Sequence, residues 1–378
     1  MISKTALIIT GGLHPPWNIG EVVLARNFAL ILKKLYNGNI EIISTIDKER
    51  ENLLCQDSSY SDLLGVTTYI NEYPLHNLSS WIKYDSKKVD LHLLHILPPI
   101  IGYFAPIRDN RPFLYQFSYN SFDRPVLRWY ISPFSAILNR FTVFTTCIKK
   151  YKQLSFFFRR NYYYVPAPLY FPMGQYWSTK SKKRGGPLKV VYIGHATYKR
   201  FPYIEIFKAL ADLRKDGCDI AFSAYFSRII GRYFNYISFI KQVNTALMSF
   251  KLDDMVKIYA YDLTEEEKYE VLKESDVFLY LALSNVAIDP PLTILEALAA
   301  GCCVISTPVQ SIPFILKHAG GIVLPFRDLA IKLSEALKML IEEDSTSFRV
   351  RTESAIKYIR LFHHYEVVSK YLEKVINQ

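Results

Sequence analysis

The segment from Asp289 to Thr307 constrains the fold of this 378-residue chain more than any other segment. It predicts a polar loop, then a short helix, then a buried strand. Pro291 suits the first helical position, where its missing N–H costs nothing, and Gly301 suits the left-handed residue just past the helix end. The apolar side chains recur at helical spacing between these two residues, namely at Leu292, Leu295, Leu298 and Ala299.

A helix that starts at the carboxyl edge of a parallel sheet is suited to binding an anion, because its free N–H groups and its dipole point at the ligand. We therefore expect Pro291, Leu292 and Thr293, the first turn, to border a phosphate. Glu296 lies one turn further in, where it is better placed to accept hydrogen bonds from a pair of sugar hydroxyls. Together these residues predict a nucleotide site. The simpler alternative is an ordinary α/β unit with an exposed glutamate.

Length and cysteine content limit the class of protein. The chain is long enough for two domains, and half of its residues are hydrophobic. Its five cysteines lack the spacing of a disulfide framework, which favours a reducing compartment. The first strand follows Lys4 too closely for a signal peptide, and the apolar segment 93–107 contains three prolines that exclude a membrane span. We expect a cytoplasmic protein.

The net charge of +11 is concentrated in one part of the chain. Residues 124–204 contain fifteen Lys and Arg but no Asp or Glu, so the rest of the chain is slightly acidic. Such a block seeks phosphate groups. Within 124–163 the cations alternate with many aromatic residues, a combination that suits an anionic membrane surface. Alternatively, the aromatic residues belong to the core and the cations are simply solvated.

The alternation of strands and helices predicts an α/β protein with two Rossmann-like, doubly wound parallel-sheet domains. We place the first domain at 1–173 and a polar, basic linker at 174–187. The second domain spans 188–357, and an amphipathic helix over 358–378 is expected to pack back on the first. The capping-box pattern that starts at Thr264 predicts a further helix within the second domain.

The run from Glu296 through Gly301 to Ile305 resembles the donor site of the retaining family 4 glycosyltransferases of the GT-B fold. This resemblance implies two domains that face each other across a cleft, and a ribose-binding role for Glu296. The family pattern has an acidic residue that is separated from that glutamate by seven intervening residues. Here that spacing falls on Ile288, and the nearest acid is Asp289, for which the resemblance implies contact with the donor sugar.

Two loops complete the expected site. Gly194 and His195 follow the first strand of the second domain, and the family usually has Gly-Arg there and a basic residue shortly afterwards. Lys199 and Arg200 stand at that later position, and the sequence leaves open which of them contacts the diphosphate. In these folds side chains stabilise the leaving diphosphate, so neither a metal nor another cofactor is expected. Gly20, in the first domain, resembles the family's glycine-rich loop.

These observations predict a glycosyltransferase that moves a sugar from a nucleotide-diphosphate sugar to a hydroxyl acceptor. The resemblance implies that the transfer retains the anomeric configuration. The basic and aromatic block suggests that the acceptor is a glycan or lipid-linked glycan at the cytosolic face of a membrane. A nucleotide-sugar epimerase of the same fold and a basic nucleic-acid-binding protein are the alternatives. No nucleic acid is expected as a partner, because no reader motif is evident. A catalytically inactive scaffold is a third possibility.

Overall fold

A computed structural model of the chain describes its backbone over twelve stretches. These are residues 6–11, 20–37, 40–45, 67–70, 91–95, 113–116, 142–155, 162–170, 180, 186–227, 233–284 and 288–377, with the gaps between them outside the description. The chain divides into two compact units. Unit 1 contains 1–170, 287–289 and 363–378, and unit 2 contains 171–286 and 290–362.

Unit 1 is built on a seven-stranded parallel sheet with the strand order β3-β2-β1-β4-β5-β6-β7. Its elements are β1 (Ala6–Gly11), α1 (Gly20–Leu35), β2 (Ile40–Thr45), β3 (Thr67–Ile70), β4 (Leu91–His95), β5 (Phe113–Gln116), β6 (Thr142–Thr145), α2 (Ile148–Leu154) and β7 (Tyr162–Tyr164). The apolar stripe of α1 is buried, and Phe28 packs edge-on against Phe144 at a centroid distance of 5.3 Å. The parallel sheet predicted for this half is therefore confirmed.

Unit 2 is built on a six-stranded parallel sheet with the strand order β10-β9-β8-β11-β12-β13. Its strands are β8 (Leu188–His195), β9 (Ile220–Ser227), β10 (Val256–Tyr259), β11 (Val277–Tyr280), β12 (Cys303–Ser306) and β13 (Ile322–Val323). Its helices are α3 (Tyr203–Lys215), α4 (Tyr233–Ser249), α5 (Glu265–Glu274), α6 (Leu292–Ala299), α7 (Ile312–Ala319), α8 (Leu329–Glu342) and α9 (Ser345–Phe362). The predicted α/β class with two parallel sheets is confirmed.

Two local predictions in unit 2 hold because the sequence encodes them within a few residues. Thr264 caps α5 with its hydroxyl, which accepts from the Glu267 N–H at 3.1 Å, while the Glu267 carboxylate accepts from the Thr264 N–H at 2.8 Å. Gly301 has a φ of 74°, the left-handed conformation that ends a helix.

The C-terminal region differs from the single helix predicted over 358–378. α9 runs to Phe362 in unit 2, and a separate helix, α10 (Tyr365–Ile376), belongs to unit 1 and packs on α1. The break is fixed by long-range hydrogen bonds, since the Leu169 N–H donates to the His363 carbonyl and the Tyr365 N–H donates to the Leu169 carbonyl. The predicted linker, 174–187, lies almost entirely outside the described residues, and the domain limits stay a prediction.

Within the part of the chain that the structure describes, no helix is both long enough and apolar enough to span a membrane.

His363 makes the fold sensitive to acid. Its side chain is fully buried, Nδ1 donates to the Ala167 carbonyl at 2.9 Å, and burial lowers the pKa of the imidazole from 6.5 to about 4. Between these two values the unfolded chain binds a proton that the folded chain does not. We expect the free energy of unfolding to fall by roughly 3 kcal/mol as the pH drops from 6.5 to 4. Urea unfolding across this range measures it.

The variant His363→Asn keeps a donor for the Ala167 carbonyl but has no titratable side chain at this position. Its free energy of unfolding should therefore fall less between pH 6.5 and pH 4 than that of the wild type. The exposed His318 provides the matched control, because His318→Asn removes a histidine without removing a buried one. An acid response in His363→Asn as steep as that of the wild type would contradict the assignment.

Candidate functional site

The candidate site of unit 2 lies at the carboxyl edge of its sheet. Because all six strands are parallel, the strand ends His195, Ser227, Tyr259, Tyr280 and Ser306 meet at one edge. The N-termini of the helices that follow these strands, α5 and α6 among them, lie at the same edge. Ligands of open α/β sheets bind at this edge, where polar side chains and helix N-termini converge.

The short helix α6 begins one residue later than predicted. Pro291 is its N-cap, with extended backbone angles, and Leu292 is its first helical residue. The Pro291 carbonyl accepts from the Ile294 N–H at 3.1 Å, which leaves the N–H groups of Leu292 and Thr293 as the helix donors without an intrahelical partner. Leu292 is buried and Thr293 is partly exposed. The first turn thus retains two donors of the kind that bind an anion.

Glu296 is buried within α6 and pairs with one cation. Its Oε1 atom accepts from Lys268 Nζ at 2.7 Å, and the two side chains are only 7% and 11% exposed. Its Oε2 atom is also buried, and it has no hydrogen-bond partner among the residues that the structure describes. A buried carboxylate oxygen without a donor is costly. Within the part of the chain that the structure describes, the site therefore contains a buried acceptor without a donor.

Arg200, not Lys199, is directed toward the sheet. Its guanidinium donates to the Tyr280 hydroxyl at 3.1 Å, while the Lys199 side chain is exposed. The loop that carries both residues is fixed by the Leu283 N–H, which donates to the Lys199 carbonyl at 2.8 Å. The backbone thus holds one guanidinium at the end of β11, directly before the segment that leads to α6.

His195 stands where the family pattern has an arginine, and its contact with a ligand stays a prediction. Its Nδ1 atom lies 3.0 Å from the Ser227 hydroxyl, and burial, followed by the charge of Arg200, lowers the pKa of the imidazole. His195 is therefore a neutral hydrogen-bonding group near neutral pH. Gly194 is needed for packing, because a Cβ atom there would lie 2.6 Å from the Tyr192 hydroxyl. That hydroxyl donates to the His195 carbonyl at 3.0 Å.

The structure places Asp289 and Gly20 in unit 1 rather than with Glu296. Asp289 is 1% exposed, its Oδ2 accepts from the Cys147 thiol, and its carbonyl accepts from the Thr146 hydroxyl at 2.8 Å. Gly20 begins α1, and a Cβ atom there would lie 3.5 Å from Ile288. The structure thus brings Gly20 close to the segment that ends at Asp289, and their ligand contacts stay predictions.

Sequence reasoning had missed Lys268 and Cys147. Lys268 follows three glutamates at the start of α5, where a lysine is expected to be solvated. It nevertheless lies four residues before the buried Leu272, so helical spacing places it on the inward face. For Cys147 the available signal was its position two residues after the end of β6, at the carboxyl edge of the other sheet.

Among the described residues, no group of three or more His, Cys, Asp and Glu is arranged to hold a metal ion. The absence of a metal and of any other cofactor stays a prediction.

Comparison with known proteins gives the family of the second unit. Residues 175–357 match the family "Glycosyl transferases group 1". They therefore form a domain of this family, as the run around Glu296 indicated. No curated protein matches the chain.

Solved structures match the chain over nearly its whole length. A glycosyltransferase from Rickettsia africae is 16% identical, with a TM-score of 0.73 and coverage of 99% of this chain and 98% of that chain. HepE from Anabaena in complex with UDP is 13% identical, with a TM-score of 0.74 and coverage of 99% of both chains. Sucrose-phosphate synthase from Thermosynechococcus elongatus is 14% identical, with a TM-score of 0.68 and the same coverage. At these identities the likeness shows the fold, which is the GT-B fold.

The difference between Arg200 and Lys199 is testable. We expect Arg200→Gln to weaken binding of inorganic pyrophosphate by at least about tenfold, because a charge-assisted hydrogen bond is lost. Lys199→Gln, the matched control with the same change of charge, should weaken it by less than about threefold, as for an exposed cation. Isothermal titration calorimetry measures both. Equal losses in the two variants would contradict the assignment.

Proposed function

We propose that this protein is a glycosyltransferase that moves a sugar from a nucleoside-diphosphate sugar to a hydroxyl acceptor, with retention of configuration. The family match over residues 175–357 supports transfer of a glycosyl group. The observation that carries the proposal is the buried Glu296 carboxylate, whose Oε2 atom has no donor among the described residues. A ribose hydroxyl is a donor of the required kind, and the first turn of the same helix offers N–H groups to the attached phosphate.

Arg200 has the main electrostatic role in this proposal. During transfer the bond between the anomeric carbon and the diphosphate oxygen breaks, and the acceptor oxygen forms the new bond to that carbon. Negative charge develops on the leaving diphosphate, and the half-buried guanidinium at the end of β11 can stabilise it. The acceptor's proton passes to a leaving phosphate oxygen, so no separate general base is required. Catalysis then consists of positioning and charge stabilisation.

The identity of the donor is a separate part of the proposal. HepE from Anabaena has been solved with UDP and with UDP-glucose, which makes uracil nucleotides the first ligands to test. We assign donor binding to the second domain, 188–357, and acceptor binding to the first, 1–173. The contact between Asp289 and the donor sugar that the resemblance implies stays part of the proposal.

We further propose that the acceptor is a glycan or lipid-linked glycan at the cytosolic face of a membrane, which the protein contacts through its basic, aromatic block at 124–163. Only part of this block lies in the described residues. There, Lys149 and Lys152 are exposed, which supports the idea, whereas Lys150, Phe144 and Tyr162 are buried and cannot contact a bilayer. The proposed contact therefore depends on fewer side chains than the sequence suggested.

Nucleotide binding tests the donor site. UDP and UDP-glucose should raise the melting temperature of the wild type, and this shift should disappear in Glu296→Gln, which loses the charged acceptor. A second assay follows the release of UDP from bound UDP-glucose by hydrolysis or transfer. Release of UDP distinguishes an enzyme from an inactive scaffold. Glu335→Gln, at an exposed glutamate of the same unit, is the control. An undiminished shift in Glu296→Gln would refute the site.

Membrane binding is tested by co-sedimentation with vesicles that contain anionic lipid. Lys149→Gln combined with Lys152→Gln should reduce binding severalfold, because each cation near an anionic surface contributes about 1 kcal/mol. Lys370→Gln combined with Lys374→Gln makes the same change of charge at two exposed positions of α10 and should leave binding unchanged. Equal binding of both double variants would exclude a membrane contact through these two lysines.

A further inference from the structure

The ion pair between Lys268 and Glu296 joins the first turn of α5 to the second turn of α6, and both helices begin at the same sheet edge. The Lys268 N–H donates to the Thr264 carbonyl at 3.0 Å, and this hydrogen bond closes the first turn of α5. The capping box at Thr264 fixes that turn, so the backbone that carries the ammonium group has one defined position. Both partners are almost fully buried, and their separation is 2.7 Å.

A second ion pair in unit 2 offers a comparison, because both of its carboxylate oxygens accept hydrogen bonds. Arg351 binds both oxygens of Glu343, at 2.9 and 3.3 Å, and a third guanidinium N–H donates to the Gly320 carbonyl at 2.8 Å. This pair is more exposed, with side-chain exposures of 23% and 13%. The more deeply buried pair of Lys268 and Glu296 is therefore the less satisfied of the two.

Stability does not explain such an arrangement. Removing two charges from water costs several kcal/mol per ion. The attraction between the two charges offsets this cost only when their remaining hydrogen-bonding positions are also filled. Here Oε2 of Glu296 is unfilled among the described residues, and a single hydrogen bond engages Oε1. An ion pair with a buried vacant acceptor is suited to a ligand that supplies the missing donor.

We propose that Lys268 is a positioning and specificity residue that, with Glu296, recognises the vicinal hydroxyls of a ribose and thereby selects ribonucleotides over deoxyribonucleotides. This inference rests on the proposed nucleotide site.

The chemistry of the two groups fits a vicinal diol. The ammonium group holds Oε1 and keeps two further N–H groups, which can donate to a hydroxyl oxygen. Oε2 can accept from a hydroxyl hydrogen once the carboxylate turns about its terminal torsion, which is broad and twofold. One hydroxyl then acts as donor to the carboxylate while its neighbour accepts from the ammonium group. A deoxyribose lacks one of the two hydroxyls, so it leaves one of the two charged groups without a hydrogen-bond partner. Ribose supplies a partner to both.

The experiment compares the binding of UDP, 2′-deoxy-UDP and 3′-deoxy-UDP by calorimetry. The wild type should bind UDP at least about tenfold more tightly than at least one deoxy analogue, since hydrogen bonds to charged groups are the strong ones. In Lys268→Met this preference should fall below about threefold. Lys268→Arg, which restores the cation, should recover most of it, and Lys268→Gln covers the case in which the methionine variant does not fold.

Arg351→Met is the matched control, because it removes the cation of another partly buried ion pair of unit 2 and should lower the melting temperature without changing the preference for ribose. If the wild type binds UDP and Lys268→Met keeps the full preference, the role of Lys268 is refuted while the nucleotide site stands. If the wild type binds UDP and both deoxy analogues equally, recognition of the diol is refuted. If it binds none of the three, and neither GDP nor ADP, the proposed function fails as well.

Discussion

The buried carboxylate of Glu296 is the interaction on which this account of the molecule depends. In unit 2 it is the acidic side chain that lies inside the protein with one oxygen paired to a cation and the other without a donor among the described residues. Such a group is stable only where the surrounding fold holds it firmly. That requirement links the local sequence of α6 to the parallel sheet beneath it and to the capped helix that supplies Lys268.

The parallel sheet explains why distant residues converge. A strand that ends at the carboxyl edge is followed by a loop and by a helix N-terminus, so each βα connection adds polar groups to the same edge. The loop after β8 contributes Arg200, the loop after β10 leads to Lys268, and the loop after β11 leads to Glu296. These three residues span nearly one hundred positions of sequence, yet the topology of one sheet assigns them to one edge.

The sequence predicted features that depend on a few neighbouring residues, such as the helix that ends at Gly301 and the capping box at Thr264. It did not predict features decided by distant contacts. The break between α9 and α10 interrupts an amphipathic pattern because His363 bonds to a residue far away in the chain. The assignment of Asp289 to unit 1 depends on Cys147, and the partner of Glu296 lies on another helix. Periodicity carries no information about such pairs.

The most direct test is a crystal structure of the chain with UDP bound. The account predicts that a ribose hydroxyl lies within hydrogen-bonding distance, about 2.5–3.2 Å, of Glu296 Oε2, with the phosphates near the first turn of α6. A structure in which UDP binds elsewhere, with Glu296 Oε2 still buried and unpaired, would contradict it.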